Sequence, residues 1–331
     1  MKNFTYVRAT SVQDVIARTA QDPTATVIAG GTNLVDRLKV FLEEPSQLID
    51  ISCLQIQQIE RLPDGGLQIG ALVTNTALAD HADIRRDYPL LSRAILRGAS
   101  QQIRNVATVG GNIMQRTRCP YYYDTAFACN KRQPRSGCPA IAGVNRLHAI
   151  LGASDQCVAA HPSDMCVALS VLDAIVEVAG PRGQRQIPFV DFHRLPGDTP
   201  QRDTNLEPGE LITHIFLRPM AYARSGVYLK LRDRASYAFA LVSAAAVLDI
   251  SGEEIRTARL ALGGVAHRPW RATPAEKFLI GQPANPSVFE QAANLALQEA
   301  APLSGNQYKV DLAKRLIRRV LTVSASRGGM V

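Results

Sequence analysis

The sequence predicts an α+β fold in three successive units, and three observations carry that expectation. The first fifty residues alternate helices with short apolar strands; a period-two stretch then turns at an Asp-Gly-Gly and runs into a helical segment; the last hundred residues hold three strands followed by three helices.

In the first unit "SVQDVIARTA" reads as a helix, "ATVIAGGT" as an apolar strand, "NLVDRLKVFLEE" as an amphipathic helix and "QLIDIS" as a strand. The second opens on "IQQIERLPDGGLQIGALVT", which alternates through its turn as a hairpin does, and passes into the helical "YPLLSRAILRGASQQIR". Later, "PSDMCVALSVLDAIVEVAG" reads as a helix leading into a strand, and Pro219 stops the strand "ELITHIFLRP". After a boundary at "MAYARSG" come the strands "GVYLKL", "FALVSAAAVLDI" and "TARLALGGVA", then helices at "TPAEKFLIG", "NPSVFEQAANLALQEA" and "YKVDLAKRLIRRVLT". The predicted units are 1–53, 54–220 and 221–331.

A chain of 331 residues, 46% hydrophobic and 20% charged, is long enough for two or three globular domains. Its longest apolar run, Ala238 to Leu248, is too short to span a bilayer, and no hydrophobic segment follows Lys2, so neither membrane insertion nor self-export is expected. The net charge of +8 is scattered and comes with no nucleic-acid-binding signature; it suits an anionic cofactor or an acidic partner surface instead.

Two glycine turns stand out. "VIAGGTN" sets paired glycines between a strand and a helix, and "RNVATVGGNI" repeats the device with Thr108, Gly110, Gly111 and Asn112. Backbone N–H groups can converge on an anion at such turns because no Cβ blocks the approach, although a lone double glycine after a strand is more often only a tight turn. Neither matches the three-glycine dinucleotide fingerprint or the lysine-containing phosphate loop, so a nicotinamide dehydrogenase and an ATPase are not supported.

"CPYYYDTAFACNKRQPRSGCP" raises a different question. Four of the six cysteines, Cys119, Cys129, Cys138 and Cys157, fall within it or shortly after it, at a spacing of C-x9-C-x8-C-x18-C that lacks the close pairs of zinc ribbons and ferredoxins. Metal ligation, disulfides and structural zinc all stay open on spacing alone. Arg116, Arg118, Lys131, Arg132 and Arg135 are expected to lower the thiol pKa values. Cys53 and Cys166 read as buried small hydrophobes, His148 and His161 as alternative ligands, and Tyr121, Tyr122 and Tyr123 as packing on their own domain.

Taken in order, "IAGGTN", "IRNVATVGGNI", "HPSDM", "YLKLRDRASYAFALVSAAA", "ALGGVAHRPWRA" and "YKVDLAKRLIRRVL" resemble the FAD-binding medium subunit of molybdenum hydroxylases across essentially the whole chain. The resemblance implies a two-subdomain FAD-binding fold of the vanillyl-alcohol-oxidase type followed by an α+β domain with a three-stranded sheet. It implies that Thr26, Val27, Ile28, Ala29, Gly30, Gly31, Thr32 and Asn33 wrap the FAD pyrophosphate, that Thr108, Gly111 and Asn112 contact phosphate and the flavin end, and that Asp164, Lys230 and Ile212 match further flavin-contacting positions. Read without it, Asp164 is a helix cap and Lys230 a strand-edge lysine.

Compared with the ordinary form of that subunit, about forty extra residues intervene from roughly Arg116 to Ala160, and they hold the four clustered cysteines. By resemblance to aldehyde oxidoreductases and 4-hydroxybenzoyl-CoA reductases with such an insertion, these four would ligate a [4Fe-4S] cluster. The implied partners are a molybdenum-cofactor large subunit and a [2Fe-2S] small subunit in a heterotrimer, with FAD passing electrons to an external acceptor. The implied compartment is the periplasm, by co-export with a signal-bearing partner, or otherwise the cytoplasm. The rival reading is a non-catalytic cysteine–metal interaction protein with a basic docking surface.

Overall fold

The computed structural model describes residues 1–328. Three sheets follow one another along the chain. Strands β1 (Thr5–Arg8), β2 (Thr26–Ile28) and β3 (Gln47–Asp50) form a parallel sheet in the order β1-β3-β2, with the helix Val12–Gln21 between its first two strands. Ser11 starts that helix by accepting a hydrogen bond from the Asp14 N–H.

β4 (Ile59–Arg61), β5 (Leu67–Gly70), β6 (Ile175–Gly180), β7 (Gly183–Pro188) and β8 (Leu211–Leu217) make an antiparallel sheet in the order β4-β5-β8-β6-β7. The β4–β5 hairpin is the period-two stretch with its Asp-Gly-Gly turn. Between β5 and β6 lie the helices and the whole cysteine-bearing insertion, where Pro120–Tyr123 is the one helical turn.

β9 (Val227–Leu231), β10 (Val242–Ser251), β11 (Glu254–Gly263) and β12 (Trp270–Arg271) form the third sheet, in the order β12-β11-β10-β9. It has four strands where three were expected, because the two residues of β12 pair with Ala261 and Leu262 without any periodic signal of their own. The helices Thr273–Leu279, Pro286–Ala296 and Tyr308–Gly328 follow, and the last packs along β10.

One helix ties the units together. Asp164–Val171 is buried at every residue, and its "DMCVALSV" sequence has no polar face to offer water. It packs on the helix Pro89–Arg97 and on β10 and β11, so its N-terminal residues sit where the second and third units meet. Among the described residues, no helix is long and apolar enough to cross a membrane.

Candidate functional site: a cofactor cleft beside a four-cysteine cavity

The two glycine turns, separated by some seventy residues of sequence, meet. A Cβ built on Gly30 would stand 2.1 Å from the carbonyl oxygen of Val106, so only glycine lets the turn after β2 touch the segment leading to the second turn. Gly31 has φ +69°, the left-handed conformation that reverses the chain into the helix Leu34–Lys39. Thr32 and Asn33 from the first turn and Gly111 and Asn112 from the second then line one cleft of about 340 Å³, open to solvent. Thr26, Val27 and Ile28 form β2, and Ala29 and Gly30 carry the chain from it to that wall.

Asp164 and Lys230 close the far side. Their side chains are 6% and 2% exposed and pair at 2.7 Å, and the Tyr228 hydroxyl donates to the other carboxylate oxygen. Burial pushes the Asp164 carboxyl up, while Lys230 and Tyr228 oppose it. The cap of this helix is Ser163, which accepts from the Cys166 N–H, so Asp164 is free to face the cleft rather than serve as the cap. Lys230 does lie on an edge strand, but inward, with its charge buried.

Two of the expected contact residues also have structural roles. Thr108 caps the helix Val109–Ile113 by accepting from the Gly111 N–H, which leaves its own O–H to donate. Ile212 sits in the core, in register with Val178 across a bulge between β6 and β8, and does not reach the cleft. The sequence reading also overlooked Arg104 and the Tyr237 and Phe239 side of the entrance. Arg104 lies inside the quoted "IRNVATVGGNI", which was the available signal.

Arg104 and Arg118 put two guanidinium groups on this lining beside Asn33, and such a donor-rich wall fits an anionic ligand such as a pyrophosphate. Asn33 is held for this by its Oδ1, which accepts from the Arg116 N–H at 3.0 Å and from Arg37 at 2.9 Å.

A second, smaller cavity is lined by Cys119, Cys129, Cys138 and Cys157 together. All four thiols are free. Cys166 is buried in its helix, as expected, whereas Cys53 is exposed; it stands in a turn just past β3, beyond the reach of the core. Tyr122 is buried, and Tyr121 packs edge-on against Phe127, so the tyrosines pack within their own loop.

The net effect on the thiols is the reverse of the one expected, because burial outweighs the nearby charge even at Cys157, where Lys131 pulls downward. Burial pushes Cys119 up to about 12 and Cys157 to about 11, and raises Cys138. The cations face elsewhere: Arg116 and Lys131 pair with Asp203, Arg132 donates to the carbonyls of Tyr121, Tyr122 and Phe127, Arg118 lies between the rings of Tyr123 and Phe239, and Arg135 is exposed. Thiols at such values hold their protons until a metal displaces them. His148 lines this cavity, but His161 does not; His161 gathers with Cys166 and His193.

Fold and cleft thus define a flavoprotein with a cysteine-bearing insertion, and comparison with known proteins agrees. The model of the FAD-binding domain in molybdopterin dehydrogenase matches residues 2–219, and that of the CO dehydrogenase flavoprotein C-terminal domain matches residues 227–323. The aldehyde oxidoreductase FAD-binding subunit PaoB of Escherichia coli K12 is 49% identical over 97% of this chain and 98% of its own. The glyceraldehyde dehydrogenase medium chain of Sulfolobus acidocaldarius is 27% identical, over 97% and 96%. Among solved structures, quinoline 2-oxidoreductase from Pseudomonas putida 86 superposes with a TM-score of 0.76 at 27% identity, covering 99% of each chain. The chain belongs to the FAD-binding medium subunits of the molybdenum hydroxylases. It binds FAD and is the flavoprotein subunit of a multi-subunit oxidoreductase.

Proposed function

We propose that the chain is the FAD- and [4Fe-4S]-carrying electron-transfer subunit of a molybdenum-containing aldehyde oxidoreductase. It works in a heterotrimer with a molybdenum-cofactor large subunit and a [2Fe-2S] small subunit, and serves an external electron acceptor. The aldehyde class is supported by the 49% identical relative, whose name carries that activity. The observation that carries the cluster is the single cavity shared by Cys119, Cys129, Cys138 and Cys157, brought together from 39 residues of loop with no disulfide among them.

Spacing argues against structural zinc. Four thiolates bound to one zinc at about 2.3 Å stand roughly 3.8 Å apart. Among the described residues, the only trio of ligand atoms within 4.8 Å of one another is His161, Cys166 and His193, not any three of these thiols. A polynuclear cluster needs the wider spread, and its four outward positions match four thiols.

FAD, when bound, supplies the exchange between single electrons from iron–sulfur centres and the pairs an acceptor takes. This chain's residues would hold the cofactor: Asn33, Arg104 and Arg118 on the cleft lining would offer donors to its anionic groups, and the buried Asp164–Lys230 pair would line the same cleft. The compartment follows from the partner, since co-export with a signal-bearing subunit would carry the chain to the periplasm; cell fractionation tests this.

Anaerobic stopped-flow absorbance tests the division of labour. The complete complex should oxidise an aldehyde with bleaching of the flavin bands, and the separately purified chain should not. Robust aldehyde oxidation by the isolated chain would refute the assignment. A colourless, zinc-containing preparation would favour the rival interaction protein.

A further inference from the structure

We propose that His148 donates an Nε2–H hydrogen bond to the Cys119 thiolate and thereby makes the inserted iron–sulfur centre easier to reduce. This inference rests on the four-cysteine reading above. His148 Nε2 stands 3.1 Å from Cys119 Sγ, inside the cavity that the four thiols line.

The ring is delivered by backbone that has little freedom to swing. The His148 carbonyl accepts from Lys309 Nζ at 2.9 Å and from Asn306 Nδ2 at 3.2 Å. Its neighbours are held by the same two side chains: Lys309 also donates to the Leu147 carbonyl at 3.0 Å, and Asn306 to the Ala149 carbonyl at 3.1 Å. Lys309 and Asn306 are both fully buried, at the start of the C-terminal helix and just before it. The inserted loop is therefore anchored to the third unit at the residue that touches Cys119.

Nothing else claims this ring. Its Nδ1 is buried without a partner, so the sulfur is its one polar contact. A neutral imidazole carries a single N–H, on one ring nitrogen or the other. While Cys119 is a thiol, its own S–H can bridge to Nε2. Once a metal takes the sulfur, that proton leaves and the ring's proton must occupy Nε2 for the hydrogen bond to persist.

An N–H aimed at a ligand sulfur stabilises the form of the cluster with more electron density, which is the reduced one. The nearby Lys131 ammonium is a separate fixed charge, engaged by Asp203, His267 and the Pro200 carbonyl, and a change at His148 leaves those contacts in place. Because four thiols already fill the four positions of a cubane, His148 is a positioning residue acting through Cys119 rather than a ligand.

The test is an EPR-monitored redox titration of the assembled complex with His148, His148→Phe and His148→Gln. His148→Phe should keep four irons and shift the reduced-to-oxidised ratio at fixed potential by ~tenfold towards oxidised, which is about 59 mV for a one-electron couple. His148→Gln keeps an N–H donor and should recover most of that shift, and the [2Fe-2S] and flavin potentials should not move. An iron-replete His148→Phe with the wild-type potential overturns the inference, as does an equal shift in both variants, which would mark a packing effect. Should His148→Phe lose iron, pulsed EPR of the reduced wild-type complex with ¹⁵N-histidine decides. Weak nitrogen coupling is expected; no coupling, or the strong coupling of a direct ligand, overturns it. A wild-type complex with no [4Fe-4S] signal would sink the four-cysteine reading and this inference together, whereas a normal cluster with an unmoved potential would sink this inference alone.

Discussion

Replacing Gly30 with alanine should loosen FAD more than replacing Gly31, although Gly31 is the glycine with the left-handed backbone. At Gly30 the added methyl carbon would lie 2.1 Å from the Val106 oxygen and 2.8 Å from its carbonyl carbon. Comfortable contact lies at roughly 3.5 Å, so the two cleft-forming segments must part by about 1.4 Å. Both partners are backbone, which leaves no side chain to give way. Overpacking of this kind costs about 1–3 kcal/mol. If that strain falls on the cleft wall, FAD affinity drops by roughly 5- to 150-fold at 1.4 kcal/mol per tenfold. At Gly31 the methyl meets Val35 Cγ2 at 3.1 Å, the end of a movable side chain, and the cost is mainly the left-handed φ of +69°, about 1–2 kcal/mol. Fluorescence titration of FAD into flavin-depleted complex measures both. Gly30→Ala with wild-type affinity, or Gly31→Ala as the weaker binder of the two, would refute the argument that close approach of the two turns builds the cleft.

Gly111→Val should also reduce acid-released FAD, because Gly111 lines the cleft and an added Cβ would stand 3.0 Å from Thr108 Oγ1, crowding the hydroxyl that caps this turn. Lys230→Met strands the buried Asp164 carboxylate, a loss of about 3–5 kcal/mol for such a pair. Because burial already pushes Asp164 up, the variant should recover stability as pH falls and the carboxyl takes a proton, so thermal melts at pH 8 should differ from wild type more than those at pH 5. Asp203 behaves oppositely. Burial would raise it, but Lys131 and then Arg116 hold it well below the usual carboxylate range. Its stabilising contribution is therefore present above its unfolded value of 3.8 and is lost as pH falls towards the depressed folded one. Asp203→Asn should lower the melting temperature at pH 7, and the gap to wild type should narrow in melts below about pH 4.

What the sequence made legible was what short stretches decide. Paired glycines after an apolar run announced both turns, and the clustering of four cysteines in one loop announced their shared cavity before any contact was known. What stayed hidden was set by residues far apart in the chain. Lys230 read equally well as an edge lysine because its partner, Asp164, lies 66 residues away. The arginines around the cysteines looked like thiol-activating charge, but their directions are fixed by distant partners, such as Asp203 for Arg116, 87 residues on. Val106, whose carbonyl dictates glycine at position 30, gives no local sign of it. Cys53 shows the converse failure: its apolar neighbours in "LIDISCLQI" suggested burial, yet the strand ends at Asp50 and the turn turns the thiol outward.

That one chain holds both a flavin and a four-cysteine cluster is tested by the iron, acid-labile sulfide and FAD content of the purified complex, with EPR of its reduced state, for wild type and for single alanine variants of all six cysteines. Wild type should hold about four irons per chain beyond those of the [2Fe-2S] subunit, together with one FAD. Cys119→Ala, Cys129→Ala, Cys138→Ala and Cys157→Ala should lose those irons or change the cluster signal, while Cys53→Ala and Cys166→Ala keep them. Full iron and an unchanged signal in each of the four cavity variants would contradict the claim.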